Sequence, residues 1–263
     1  MEELHHFVSP EKLKQLSTKY RETYAAALPF PHIAIDGIFP ESILKKVIQE
    51  HPESILENNC IPGSICFNEA IQNKKSGIDS EERMGMYTRI LFSFLKSSIF
   101  TTFLQDISGI GGIVPDPHFR GSGLHFTATG GSLDIHADFN QYDAYNLDRR
   151  VNMFIYLNDD WPEEYGGHLE LWGKDMKSCY QRIGLKLGRF VVFSEPSSAT
   201  RYVAATIKDG IIFWRTQPRM ELPEDALPTI HSSAQDLRIR GLPTEEHPFE
   251  LMGVWVHHGQ TVH

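Results

Sequence analysis

From Ile113 onward the chain is dominated by short segments in which apolar and polar residues alternate, and this period of two restricts the fold more than any other feature. "GLHFTAT", "GSLDIHAD", "RVNMFIYLND", "GHLELWG" and "GRFVVFS" each read as a strand, with turn residues between them. Side chains two apart on a strand share a face. Several such strands at this spacing predict a sandwich or barrel. The earlier part of the chain is patterned for helices. Ser9 and Pro10 open "SPEKLKQLSTKYRETYAAAL" as a capped helix, and "ESILKKVIQEH" is a second one. "PFPHIAIDGIFP" between them holds a short strand. Residues Pro52 to Glu82 are polar and read as loop. "RMGMYTRILFSFLKSSIFTTFLQDISGI" is a long helical stretch, broken near Ser97 and Ser98 and closed by Gly109. Helices packed on one sheet of a β core make an α+β domain. One domain spanning 1–263 is expected, with 1–110 as mainly helical support and 111–263 as the core.

Composition narrows the setting. The formal net charge of −9 argues against a nucleic-acid partner, which needs a basic patch. Apolar runs such as "GRFVVF" are too short to span a membrane. The start, "MEELHHFVSPEKLKQL", has early acids and no apolar core of a secretory signal. The 3 cysteines, Cys60, Cys66 and Cys179, form no CxxC pair, which fits a reducing cytoplasm better than a disulfide or zinc scaffold. No repeat or low-complexity tract is present, and the oligomeric state is not readable.

One strand has an unusual polar face. In "GSLDIHADFN", Leu133, Ile135 and Ala137 alternate with Asp134, His136 and Asp138. His136 and Asp138 are therefore expected side by side on one face. An isolated HxD is most simply a solvated strand face. Imidazole and carboxylate together also suit Fe(II), for which two histidines and one carboxylate leave positions open to oxidant and substrate. The alternation continues in "VNMFIYLND", where Asn152, Tyr156 and Asn158 share one face and Val151, Met153, Ile155 and Leu157 the other. Polar inner faces of this kind can line the mouth of a jelly roll.

The run from "PDPHFRGSGLHFTATGGSLDIHADFN" through "RRVNMFIYLNDDWPEEYGGHLELW" to "GRFVVFS" resembles the 2-oxoglutarate- and Fe(II)-dependent oxygenases of the prolyl 4-hydroxylase type. "PFPHIAIDGIFPESI" is similar to the strand and helix that open many members. The likeness covers Pro29 to Ser194, apart from Pro52 to Glu82. It implies a double-stranded β-helix, or jelly-roll, core. It also implies Fe(II) held by His136 and Asp138, 2-oxoglutarate as cosubstrate, and conversion of 2-oxoglutarate and O2 to succinate and CO2. Ascorbate would serve as an accessory reductant, and a peptidyl residue or small molecule would be hydroxylated. The metal does the redox step while the protein supplies geometry and a dry site.

The tail departs from the family pattern from 195 to 263. Members place a third ligand histidine and a basic cosubstrate anchor soon after the strand equivalent to "GRFVVFS", yet no histidine occurs between His168 and His231. Three readings stand. Glu195 to Pro228 is an insertion, His231 is the third ligand, and Arg238 or Arg240 grips the distal carboxylate, as a guanidinium can bidentately. Alternatively, the site is incomplete and the protein is a catalytically silent jelly roll that binds a ligand or partner. In the third, "HPFELMGVWVHHG" replaces the closing strands. Tyr156 and Asn152 are candidate cavity-lining hydrogen-bonding residues. His125 and His168 fall within matching motifs, but strand histidines are commonly structural. Arg149 and Arg150 read as solvated charge or as partners of Asp148. Gly166 and Gly167 serve a turn at positive φ, and Trp161 and Trp172 pack at core or rim.

Overall fold

The computed structural model describes residues 8–51, 65–66, 72–116, 119, 123–137, 141–142, 147–194, 202–206, 212–214 and 253–257. Helix α1, Pro10–Ala26, starts where Ser9 accepts the Lys12 amide at 3.1 Å, with proline at the first turn. Such a cap contributes about 1 kcal/mol. Helix α2, Glu41–Gln49, buries Ile43, Leu44 and Val47. The long helical stretch is split into α3, Met86–Leu95, and α4, Ser98–Ser108. Ser97 caps α4 by accepting the Phe100 amide at 3.3 Å, and Gly109 ends it at φ +72°. A side chain at that backbone angle would be strained, which is why glycine stops the helix.

The strands form two antiparallel sheets. The first contains β1 (His32–Ile35), β4 (Ile113–Pro115), β6 (Gln141–Tyr142), β7 (Leu147–Ile155), β10 (Phe190–Ser194) and β13 (Gly253–His257), in the order β1-β10-β7-β13-β4 with β6 also on β7. The second contains β2 (Ile65–Cys66), β3 (Gln72–Ile78), β5 (Leu124–Ala137), β8 (Leu169–Trp172), β9 (Cys179–Ile183), β11 (Tyr202–Thr206) and β12 (Ile212–Trp214). Its order is β2-β3-β5-β11-β8-β9, with β12 also on β5.

Alternation along β7 and β10 sorts the core into layers. Val151 and Met153 of β7 and Phe190 and Val192 of β10 pack with Leu44, Phe100, Phe103 and Leu104 of the helices. Phe154 and Tyr156, with Val191 and Phe193, instead join Leu133, Leu169 and Leu171 of the second sheet. The helices therefore cover one face of the first sheet and the second sheet meets its other face. Among the described residues, no helix is long and apolar enough to cross a membrane.

Several expectations change. "GLHFTAT" and "GSLDIHAD" fall within one strand, β5, whose pairing with β3 slips between Thr127 and Ser132. Residues 65–66 and 72–78, expected as loop, are strands β2 and β3. "QNKKSGI" has no apolar alternation; its strand form comes from pairing with β5, a tertiary effect that outweighs local preference. The stretch read as an insertion contributes β11 and β12 to the second sheet, both paired with β5. Within "HPFELMGVWVHHG", Gly253–His257 form β13, placed between β7 and β4.

Candidate metal centre

The polar interior is built by two irregularities in the strands. Along β5, Leu133 lies opposite Ala205 of β11 and His136 opposite Val203, so β5 carries one extra residue in this interval. Val203 and Ala205 share a face, hence Leu133 and His136 do too. Strict alternation would put His136 with Asp134. The bulge separates them: Asp134 is exposed, whereas His136 is 0% exposed on the face of Leu133. Bulges re-aim side chains in this way and gather next to functional sites.

The bulge also fixes the imidazole. His136 Nδ1 lies 2.6 Å from the carbonyl oxygen of Asp134. A carbonyl only accepts, so Nδ1 carries the proton and, in the neutral ring, the Nε2 lone pair is the one suited to a metal. Orientation of a ligand histidine by a backbone carbonyl is the usual arrangement in metal sites. The expected partners of His136, namely Asp138, His231, Arg238 and Arg240, are outside the described residues. Among the described residues, no group of three His, Cys, Asp or Glu side chains converges as a metal site.

On β7 the second irregularity falls at Arg150. Trp255 of β13 lies opposite Arg149, while Gly253 lies opposite Asn152. Because Gly253 and Trp255 share a face, so do Arg149 and Asn152. Arg149 Nε donates to Asn152 Oδ1 at 2.7 Å, and both residues are buried. The reading of Arg149 as solvated charge is thus overturned: it is 0% exposed. Asn152 continues the face of Phe154 and Tyr156, which points between the sheets. Tyr156 is fully buried, and loss of solvent pushes its phenol far above the ordinary range, so it stays neutral.

His125 is buried near the start of β5 and borders a cavity lined by Val47, Leu91, Leu95 and Met153 on the helical side. His168 is half-buried, with Nε2 3.8 Å from Glu163. Gly166 and Gly167 have φ of +75° and +76°, as their turn requires. Trp161 packs on the inter-sheet cluster and donates to the Gly166 carbonyl at 2.9 Å. Trp172 donates to Glu170 at 3.1 Å. Cys179 is a free, exposed thiol. Sequence reasoning read Arg149 as solvated or paired with Asp148; an arginine three residues before an inward asparagine signals burial only if a bulge is allowed.

Comparison with known proteins gives one family match in this region. Residues 122–214 match the model of the 2OG-Fe(II) oxygenase superfamily, a span that contains both bulged strands. No curated protein matches the sequence. A solved Pseudomonas putida prolyl-4-hydroxylase is similar at 14% identity and TM-score 0.48, over 78% of this chain and 100% of that one. A prolyl hydroxylase from Trichoplax adhaerens, solved with a hypoxia inducible factor oxygen degradation domain peptide fragment, is similar at 18% identity and TM-score 0.47, over 78% and 91%. A viral collagen prolyl hydroxylase from Paramecium Bursaria Chlorella virus-1, solved with 2OG, gives 14% and 0.42 over 70% and 96%. The stretch from 122 to 214, with His136 and Arg149 turned inward from facing sheets, carries the 2OG-Fe(II) oxygenase likeness read from the motifs.

Proposed function

We propose that the protein is an Fe(II)- and 2-oxoglutarate-dependent dioxygenase that hydroxylates a peptidyl residue or a small molecule in the cytoplasm. Its two sheets are the halves of a double-stranded β-helix within one domain, 1–263. The observation that carries this reading is the family match over 122–214 around a fully buried histidine whose Nδ1 proton is tied to a backbone carbonyl. That donor set fits a divalent metal: Nε2 of His136 is a preset ligand, and Asp138 follows at the HxD spacing. When bound, iron and 2-oxoglutarate would supply the oxidative chemistry, in which substrate, 2-oxoglutarate and O2 give hydroxylated substrate, succinate and CO2. The chain's own part is positional. His136 and Asp138 hold the metal, His231 completes the ligand set with Arg238 or Arg240 behind it, and Leu133, Phe154 and Phe193 keep water from the inter-sheet space.

One observation favours the alternative of a silent, ligand-binding jelly roll. The strand lying beside His136 is β11, whose Tyr202 and Val203 sit across from Ala137 and His136, and it contains no histidine. Anaerobic addition of Fe(II) and 2-oxoglutarate separates the two. An enzyme gives the weak visible charge-transfer band of the chelate, lost in His136→Ala, and forms succinate with O2 and ascorbate above the rate of that variant. A band without succinate supports the silent reading, and identical spectra for both proteins remove the metal assignment.

A further inference from the structure

We propose that the apolar cavity between the helices and the start of β5 is a binding site for dioxygen. Which gas it takes rests on the oxygenase reading; that it takes a small apolar molecule rests on its walls. Val47 of α2, Leu91 and Leu95 of α3, Leu124 of β5, and Met153 and Phe154 of β7 line a space of about 30 Å³. Among the described lining side chains, only Thr88 and His125 are polar. The Thr88 hydroxyl is already engaged, since it donates to Glu50 Oε2 at 2.7 Å and lies 3.3 Å from His51 Nε2. Water needs several polar partners before it leaves bulk solvent, and these walls supply few. An apolar molecule loses no hydrogen bonds on entry and gains contact with the side chains around it. Size then sets the class. A water-sized molecule needs about 10–15 Å³, whereas a cavity of about 150 Å³ holds a benzene ring. The space here suits a diatomic gas and is too small for rings or alkyl chains.

Its place in the fold links it to the candidate metal centre. Phe154 is a wall of the cavity and also a member of the inter-sheet cluster that contains Leu133. Leu133 shares its face with His136. The packing around Phe154 therefore separates the cavity from the space that His136 fronts. Core side chains hop between rotamers, and a diatomic needs only such brief openings to pass. Dioxygen is the small apolar reactant of the proposed reaction. A site that concentrates it beside the apolar interior raises its supply without using a charge or a hydrogen bond.

Dioxygen is paramagnetic, so methyl NMR relaxation of the full-length, metal-free protein under oxygen pressure reads its position. Methyl groups of Leu91, Leu95, Leu124 and Met153 should relax several-fold faster under oxygen than those of Leu13 and Leu104, which are at least as deeply buried but line no part of the cavity. Val47→Ile and Leu91→Phe enlarge side chains on two different walls, and each should abolish the excess. Uniform relaxation in wild type overturns the proposal even if neither variant folds, and so does an excess that persists in both folded variants. In the Fe(II)-loaded protein with 2-oxoglutarate and ascorbate, the variants should raise KM for O2 several-fold and leave KM for 2-oxoglutarate unchanged. An unchanged KM for O2 in a folded variant that has lost the excess overturns the supply role. Excess relaxation in a wild type that forms no succinate supports the gas site and overturns the oxygenase reading alone.

Discussion

Gly85 and Glu50 should fail to behave as independent sites. Glu50, just after α2, reaches the N-terminus of α3. Its carboxylate accepts the amides of Tyr87 at 2.7 Å and Thr88 at 2.9 Å, and the Thr88 hydroxyl at 2.7 Å. Gly85 is the N-cap of α3 and provides no side-chain cap, so Glu50 does the capping from another element. A Cβ at Gly85 would stand on the Glu50 carboxyl group. Its backbone, at φ −64° and ψ 171°, suits any residue, so the only cost of a side chain there is displacement of Glu50. Glu50→Ala should destabilise the fold by about 2 kcal/mol, the upper range for losing a cap with charged hydrogen bonds. Gly85→Ala should cost a similar amount, about 1–2 kcal/mol, by ejecting the same carboxylate. In the Glu50→Ala background, Gly85→Ala should cost nothing or gain about 0.5 kcal/mol, because it stiffens the unfolded chain. Urea unfolding of the four proteins gives the cycle, with a coupling of about 1–2 kcal/mol. Additive single costs, or a neutral Gly85→Ala in wild type, would refute the capping role.

Two further predictions concern pH. Asp36 accepts Arg189 Nε at 2.8 Å and Nη2 at 3.0 Å and Lys186 Nζ at 3.0 Å, and chiefly the Arg189 bond holds its carboxyl at about 2. A depressed carboxyl contributes stability that is full above its ordinary value and is lost as pH falls toward 2; with Asp36 36% exposed, screening reduces this to about 1 kcal/mol. Asp36→Asn should be less stable by that amount at pH 7, and denaturation midpoints of the two proteins should converge near pH 2. His51 is buried against Phe126 with Nε2 3.3 Å from the Thr88 hydroxyl, and burial lowers its pKa. Its neutral form is the one folding favours, so its contribution is full above 6.5 and is lost as pH falls below that through the lowered value. His32, also lowered by burial, acts in the same window, so His51→Gln should make stability between pH 7 and 5 less steep without flattening it. An unchanged slope would show that His51 titrates normally.

What was legible in the sequence follows the physics of each signal. Helix starts are chemical events at single residues, and Ser9, Ser97 and Gly109 acted where expected. The sorting of β7 was legible because Val151 and Met153 differ in polarity from Asn152, and both faces are buried against different layers. Strands β2 and β3 were not legible, since "QNKKSGI" is a strand only through its partner β5. The likeness to the oxygenases was carried by combinations of residues, and the matched span, 122–214, includes β5, β7, β8, β10 and the strands after them that the sequence reading had set aside. His136 is buried on a face that strict alternation did not assign to it.

That misassignment is informative about how the interior acquires polar groups. Alternation in "SLDIHAD" gives one face to Leu133 and Ile135 and the other to Asp134 and His136, so a regular strand could not bury Leu133 and His136 together. The same holds for Arg149 and Asn152 in "RRVN". In each strand one extra residue shifts the register by one position, and a polar side chain that would face away is turned into the core. The inserted residues themselves stay at the outside: Asp134 is exposed and Arg150 is only half-buried. The interior keeps its apolar frame, because Leu133 and Phe154 stay on the inner faces beside the redirected residues. A bulge therefore turns a polar group into the interior of a sandwich at the cost of a local break in the ladder, leaving the packing on either side intact. These two breaks, one in each sheet, turn an imidazole whose Nδ1 faces a backbone carbonyl and a buried guanidinium bonded to Asn152 away from the faces that strict alternation assigns them.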